Sequence, residues 1–214
     1  MSMTVPAPDF GPLVTLQNPA FVHDSALIYG QNTIREGASV WPRVVMRAEM
    51  FDNDIGPYSN LQDFVMVHVG SQCGTRIGAY CSIAHHSTVH GCSIADNCLI
   101  GINATIMDDV EIGENTVVAG HTIVTAGTVI PPNSIVAGVP GRVVKTRNNF
   151  IANRMNALIY YRNALAYARG EHRAWDGAAA KAELQEELAQ VTAEFERRYG
   201  AAEGGPTGQA DKTS

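Results

Sequence analysis

From Ile94 to Val136 an aliphatic residue returns at every sixth position: Ile94, Ile100, Ile106, Ile112, Val118, Val124, Ile130 and Val136. The residue four places further on is small or β-branched, as at Cys98, Ala104, Val110, Thr116, Thr122, Thr128 and Ser134. Towards the N-terminus the same register continues with interruptions, through Val89, Ile83 and Ile77, then Val67, Leu61 and Ile55, then Met46, Val40, Ile34 and Ile28. A period of six is neither that of a helix nor that of an amphipathic strand. It fits a coil in which each unit is a short strand and a corner, with the aliphatic side chain turned inward. Three units close one triangular turn of roughly 18 residues, and turns stack at the strand spacing of about 4.8 Å. A β-sandwich needs turns 8–12 residues apart and would not keep so strict a beat. The fold expected is an all-β body, a parallel β-helix of hexapeptide repeats.

The repeat ends where composition changes. Residues 1–147 form the expected repeat domain. Residues 148–200 are rich in Ala, Glu, Arg and Leu and predict two C-terminal helices, and 201–214 predict a disordered tail. Asn148 or Asn149 is placed to cap the first helix, with Phe150, Ile151, Met155, Leu158 and Ile159 as its apolar stripe. The second helix is expected after Trp175 and Asp176, ending near Tyr199 before Gly200. With 21 acidic residues against 15 Lys and Arg the net charge is −6, which argues against nucleic acid or an anionic membrane as partner. No apolar run approaches the ~20 residues of a membrane span, and MSMTVPAPDF lacks the pattern of a signal peptide, so the cytoplasm is expected. The four cysteines contain no C-x-x-C pair and read as reduced thiols; Cys81 and Cys98 occupy small inward positions.

Register arithmetic sorts the histidines. Val67 to Val89 is three units plus a four-residue insertion within 69–76, so His68 and His90 are equivalent residues on adjacent turns. Met46 to Val67 is three units plus three, which sets Arg47 in the same column. His85 follows Ile83 on the neighbouring face, with Asp63 one turn earlier beside Gln62. A triangular coil turns those faces apart, so His85 joins His68 and His90 only if a second subunit packs face to face, as in a symmetric ring of three. Three converging imidazoles suit a tetrahedral zinc with one open position. On spacing alone, a histidine on such a coil is more often a plain surface residue. His86 reads as a surface residue on the other side of its strand; His121, His172 and His23 have no assignable partner; and Glu49, Asp52 and Asp54 read as a solvated loop beside Phe51 and Tyr58.

VWPRVVMRAE, IGPYSNLQD, VMVHVG, IAHHSTVHGCSIADNCLIG and IPPNSIVAGVPGRVV together resemble the γ-class carbonic anhydrase family over residues 12–146. That resemblance implies a left-handed coil, a homotrimer with metal sites at its subunit interfaces, and His68, His85 and His90 as ligands. It also implies that Arg47 pairs with Asp63 across the interface, and that Asn60 and Gln62 form a polar support of the site. Tyr160 matches a helix tyrosine directed at the site, with Tyr161 as a close rival. The family's Arg-Gly-Asp reads Arg47-Ala48-Glu49 here, Ala84 replaces a glycine, and 69–76 is too short for an acidic proton-shuttle loop.

The activity implied is reversible hydration of CO2 to bicarbonate by a metal-bound hydroxide, with Gln62 and Asn60 orienting, Glu49 or buffer accepting the proton, and Zn2+, or Fe2+ or Co2+, as cofactor. Three alternatives share the scaffold: a metal-hydroxide hydrolase of an amide, ester or thioester, a metal-free acyltransferase using a histidine base, and a non-catalytic assembly subunit.

Overall fold

The structure, a computed structural model, describes residues 10–175 and 177–200; the expected tail at 201–214 lies outside them. The described body is a parallel β-helix of roughly seven turns. One face stacks Met66–His68, Thr88–His90, Thr105–Ile106 and Ile123–Val124; a second stacks Thr75–Ile77, Ser93–Ile94, Glu111–Ile112 and Val129–Ile130. The long strands Leu27–Ile34 and Val45–Ile55 run across both and join them into one sheet. The third face stacks Phe21–Val22, Ser39–Val40, Asn60–Leu61, Ser82–Ile83, Leu99–Ile100, Val117–Val118 and Ser134–Ala137, and ends on the antiparallel strand Arg142–Thr146.

The core is the column of period-six residues. All eighteen aliphatics from Ile28 to Val136 named above belong to a single buried cluster, and Cys81, Cys98, Ala104 and Val110 fill its corners. Corners also require backbone at positive φ. Asn97, Asn103, Asp109, Asn115, His121, Gly127 and Asn133 all take it, at the same period of six, because Asn, Asp, Gly and His tolerate the left-handed region best. His86 is one of these corner residues (φ 60°), exposed and stacked on Phe64 at 4.8 Å. It is therefore not on a strand as the sequence reading had it.

The two insertions fall where register arithmetic requires. Between Gly30 and Asn32 the chain takes two steps while the adjacent strand takes five, from Ala48 to Asn53, so three extra residues protrude. Pairing resumes on both sides, and Val45–Ile55 is one strand. The expected solvated loop at Glu49, Asp52 and Asp54 is thus a bulged strand. Arg76 holds Asp52 at 2.7 Å and Arg35 grips Asp54 with two bonds of 2.7 Å.

Helix α1 (Phe150–Ala168) starts where Asn148 Oδ1 accepts the Phe150 N–H at 2.9 Å; Asn149, the residue at the cap position, makes no such bond. Its apolar stripe faces the second helix, α2 (Ala178–Tyr199): Ile151, Met155 and Leu158 pack around Phe150, Val191 and Phe195. The side of α1 against the coil combines ring contacts, Tyr160 and Tyr167 on Trp41, with a polar network. Asn97, Asn115 and Asn133 form a ladder along one corner, linked by bonds of 2.9 and 3.1 Å. Asn153 donates to the Asn97 and Thr116 carbonyls, and Tyr199 Oη accepts from Asn115. Among the described residues no helix is long and apolar enough to cross a membrane.

Candidate metal centre

His68 and His90 are register partners on adjacent turns, and Arg47 pairs with His68 one turn earlier. Their side chains leave the coil on one face and form a continuous polar row. Arg47 donates to Glu49 at 2.7 Å, Glu49 Oε2 meets His68 Nε2 at 3.1 Å, His68 Nδ1 meets His90 Nε2 at 3.0 Å, and His90 Nδ1 donates to Asp108 at 2.9 Å. Burial works against ionisation of Glu49, but is outweighed by its own backbone N–H, by His68 and by the Arg47 charge, so its carboxyl sits below the ordinary range.

His85 stands elsewhere. It follows Ser82–Ile83 on the third face, which belongs to a different sheet from His68 and His90. Its Nδ1 lies 3.0 Å from Asp63 Oδ2, and its Nε2 makes a loose 3.5 Å contact with Tyr160 Oη. Tyr160 is carried there by α1 and packs edge-on against Trp41. Burial, and then the charge of Asp63, push its phenol up, so the hydroxyl is protonated at neutral pH. Tyr161 instead packs on Tyr58. Gln62 and Asn60 are buried next to this column: Gln62 Nε2 donates to Asn60 Oδ1 at 3.0 Å, and Asn60 Nδ2 to Ser82 Oγ at 3.0 Å.

Within one chain, then, two histidines and Glu49 meet on one face, while His85, Asp63 and Tyr160 meet on another. Among the described residues no three His, Cys, Asp or Glu side chains of one chain converge as a metal site. Arg47 and Asp63 have separate partners in the chain, Glu49 and His85. Of the histidines without an assigned partner, His121 bonds Asn103, His172 lies against Tyr167, and His23 bonds Ser25. Asp108 escaped the sequence reading, although its place beside Gly91 follows from the pairing of Val89 with Ile106.

The donor set fits a borderline divalent cation. It offers imidazoles from two adjacent turns, that of His90 held at Nδ1 by a carboxylate, with the Glu49 carboxylate beside His68.

Residues 91–126 match the family model described as bacterial transferase hexapeptide (six repeats). A solved hexapeptide transferase family protein from Anaplasma phagocytophilum superposes with a TM-score of 0.65 at 25% identity, covering 73% of this chain and 92% of that one. The fold and the repeat therefore define a protein of the hexapeptide-repeat β-helix class. A protein of Methanocaldococcus jannaschii named "Probable carbonic anhydrase" is 55% identical over 137 residues, 63% of this chain and 86% of its own. Gamma carbonic anhydrase 2, mitochondrial, of Arabidopsis thaliana is 33% identical over 106 residues, 47% of this chain and 37% of its own. The chain belongs to the γ-class carbonic anhydrase family.

Proposed function

We propose that the protein is a metal-dependent carbonic anhydrase, interconverting CO2 and bicarbonate, and that it acts as a homotrimer. His68 and His90 of one protomer and His85 of its neighbour would hold Zn2+, with Fe2+ or Co2+ as the other cations that suit three imidazoles. The observation that carries this reading is the division of the histidines: an open pair, His68 and His90, on one face and a lone His85 on another. Two copies meeting face to face complete a set that no single chain can.

A cation held there would supply an activated water as the nucleophile for CO2 at neutral pH. The chain's own groups do the rest. Gln62, its amide fixed by Asn60, and Asn60, anchored on Ser82, present a rigid polar edge that orients the reactants. Glu49 is ionised, in contact with His68 and half-exposed, which suits it to take a proton and release it to buffer. Its other oxygen is held by Arg47, so the receiving oxygen keeps its direction. Tyr160 steadies His85 with a protonated hydroxyl.

The test is mass-spectrometric 18O exchange from labelled CO2 on metal-loaded protein, with His90→Ala and His85→Ala beside it and sedimentation to report assembly. Loss of exchange in both variants, with the assembly intact, is expected. Exchange at equal rates in all three proteins removes the reading. The likeness to a hexapeptide transferase family protein favours a second reading, acyl transfer from a coenzyme A donor with a histidine as general base. That chemistry needs no metal. Transfer from acetyl-CoA that survives full chelation would establish it in place of the first.

A further inference from the structure

Resting on the reading of His90 as a cation ligand, we propose that Asp108 is a positioning residue: its carboxylate holds the His90 imidazole by Nδ1 and so directs Nε2 at the cation. The bond is 2.9 Å long, within the charge-assisted range. His68 turns its Nδ1 to His90, and His85 Nδ1 lies 3.0 Å from Asp63 Oδ2.

The fold makes room for this carboxylate in particular. A Cβ on Gly70 would lie 2.4 Å from Asp108 Oδ1, and one on Gly91 would lie 2.8 Å from it. Gly91 is also at φ 53°, and its N–H donates to the His68 carbonyl at 3.0 Å. Asp109 N–H donates to Gly91 O at 2.8 Å, which pins the Asp108 backbone beside the glycine. The four-residue insertion supplies the other wall. Gly70 N–H bonds Cys73 O, Cys73 Sγ bonds Gly91 O at 3.1 Å, and Thr75 Oγ1 bonds His68 O at 2.6 Å. The segment that is too short to carry an acidic loop thus serves to seat an acidic residue from the next turn. A partly exposed pair adds little to stability, so the use of so confined a carboxylate is orientation.

Three variants test this in the full chain: Asp108→Ala, Asp108→Asn and Gly70→Ala, with His90→Ala as reference. Cobalt affinity is measured by competition with a chromophoric chelator, and the cobalt absorption bands report ligand geometry. In zinc-loaded protein labelled with 15N-histidine, the His90 Nδ1–H proton is observed directly. Asp108→Ala should weaken cobalt binding about 10–100-fold, shift the cobalt bands and abolish the Nδ1–H signal, with circular dichroism and assembly unchanged. Asp108→Asn, whose amide oxygen still accepts, should recover most of the affinity, and Gly70→Ala should resemble Asp108→Ala. Wild-type affinity and an intact His90 Nδ1–H in Asp108→Ala would overturn the inference while leaving the metal centre standing. Cobalt binding that His90→Ala does not weaken would instead sink the metal reading itself, and this inference with it.

Discussion

Arg154 should be the single most sensitive point in the docking of the helices. It is 7% exposed, on the side of α1 that faces the coil. Its guanidinium lies 3.8 Å above the Tyr80 ring and 4.7 Å from that of Phe150, and it pairs with Glu194 of α2 at 3.0 Å. Replacing it with Met keeps the hydrocarbon stem and removes the charge. Removing one partner of a buried pair costs about 3–5 kcal/mol when the other is stranded. Glu194 is not stranded, because Arg198 also holds it at 2.7 Å and its side chain is 24% exposed, so only the lower part of that range applies. Loss of the two ring contacts adds about 0.5–2 kcal/mol, and Met recovers part of it by packing. A net cost of about 3–4 kcal/mol follows, equivalent to roughly 150- to 850-fold faster opening of α1. Native-state hydrogen exchange reads this locally: α1 and α2 amides should accelerate by that factor while those of the strands between Ile83 and Ile130 do not. Arg198→Met, whose pair is half-exposed, should change exchange by less than about fivefold. If α1 amides of Arg154→Met exchange within twofold of wild type, the buried cation contributes nothing to docking and the reasoning fails.

Other consequences can be checked separately. Gly30→Ala places a Cβ 2.0 Å from the Ala48 carbonyl oxygen at φ 81°, so it should lower the thermal midpoint by about 5–10 °C, whereas Gly127→Ala, with open space around it, should cost less than half as much. Asn115→Gly removes the ladder bonds and the bond to Tyr199, and Asn115→Ala also strains a residue at φ 57°, so denaturant titration should find the alanine variant less stable than the glycine one by about 1 kcal/mol. Burial pushes the Cys92 thiol up to about 12; a raised value in the folded state means stability complete below pH 9 and lost as pH climbs from 9 towards 12. Alkaline unfolding should therefore be blunted in Cys92→Ala, and a thiol reagent at pH 8 should label only Cys73 before denaturation, since Cys81, Cys92 and Cys98 are buried.

What could be read from the sequence follows the range of the interactions. The core was legible because each turn repeats one inward position, so a sixfold beat of Ile, Val and Leu is itself the packing pattern. The corners carry an equally regular signal, Asn97 to Asn133 at the same beat, and it records a backbone requirement rather than a chemical one. The column of Arg47, His68 and His90 could be derived because insertions shift register by whole residues, and Ile55, Ile77 and Ile94 restore it. Asp108 illustrates where such counting stops. Val89 to Ile94 is a five-residue unit, so a step of 18 from His90 reaches Asp108, yet the true neighbour of His90 is Met107 and the carboxylate returns from beside Gly91. The strand character of Glu49–Asp54 was hidden for a related reason: three protruding residues look like a loop unless the pairing of Asn53 with Asn32 is known. Tyr160 lies furthest from local inference. It reaches His85 across 75 residues because Asn153 and Arg154 fix α1 on the asparagine corner, and the contacts that the helix makes there have no period. The repeat thus determines which residues share a face. Contacts made outside the repeat decide which of them can act together.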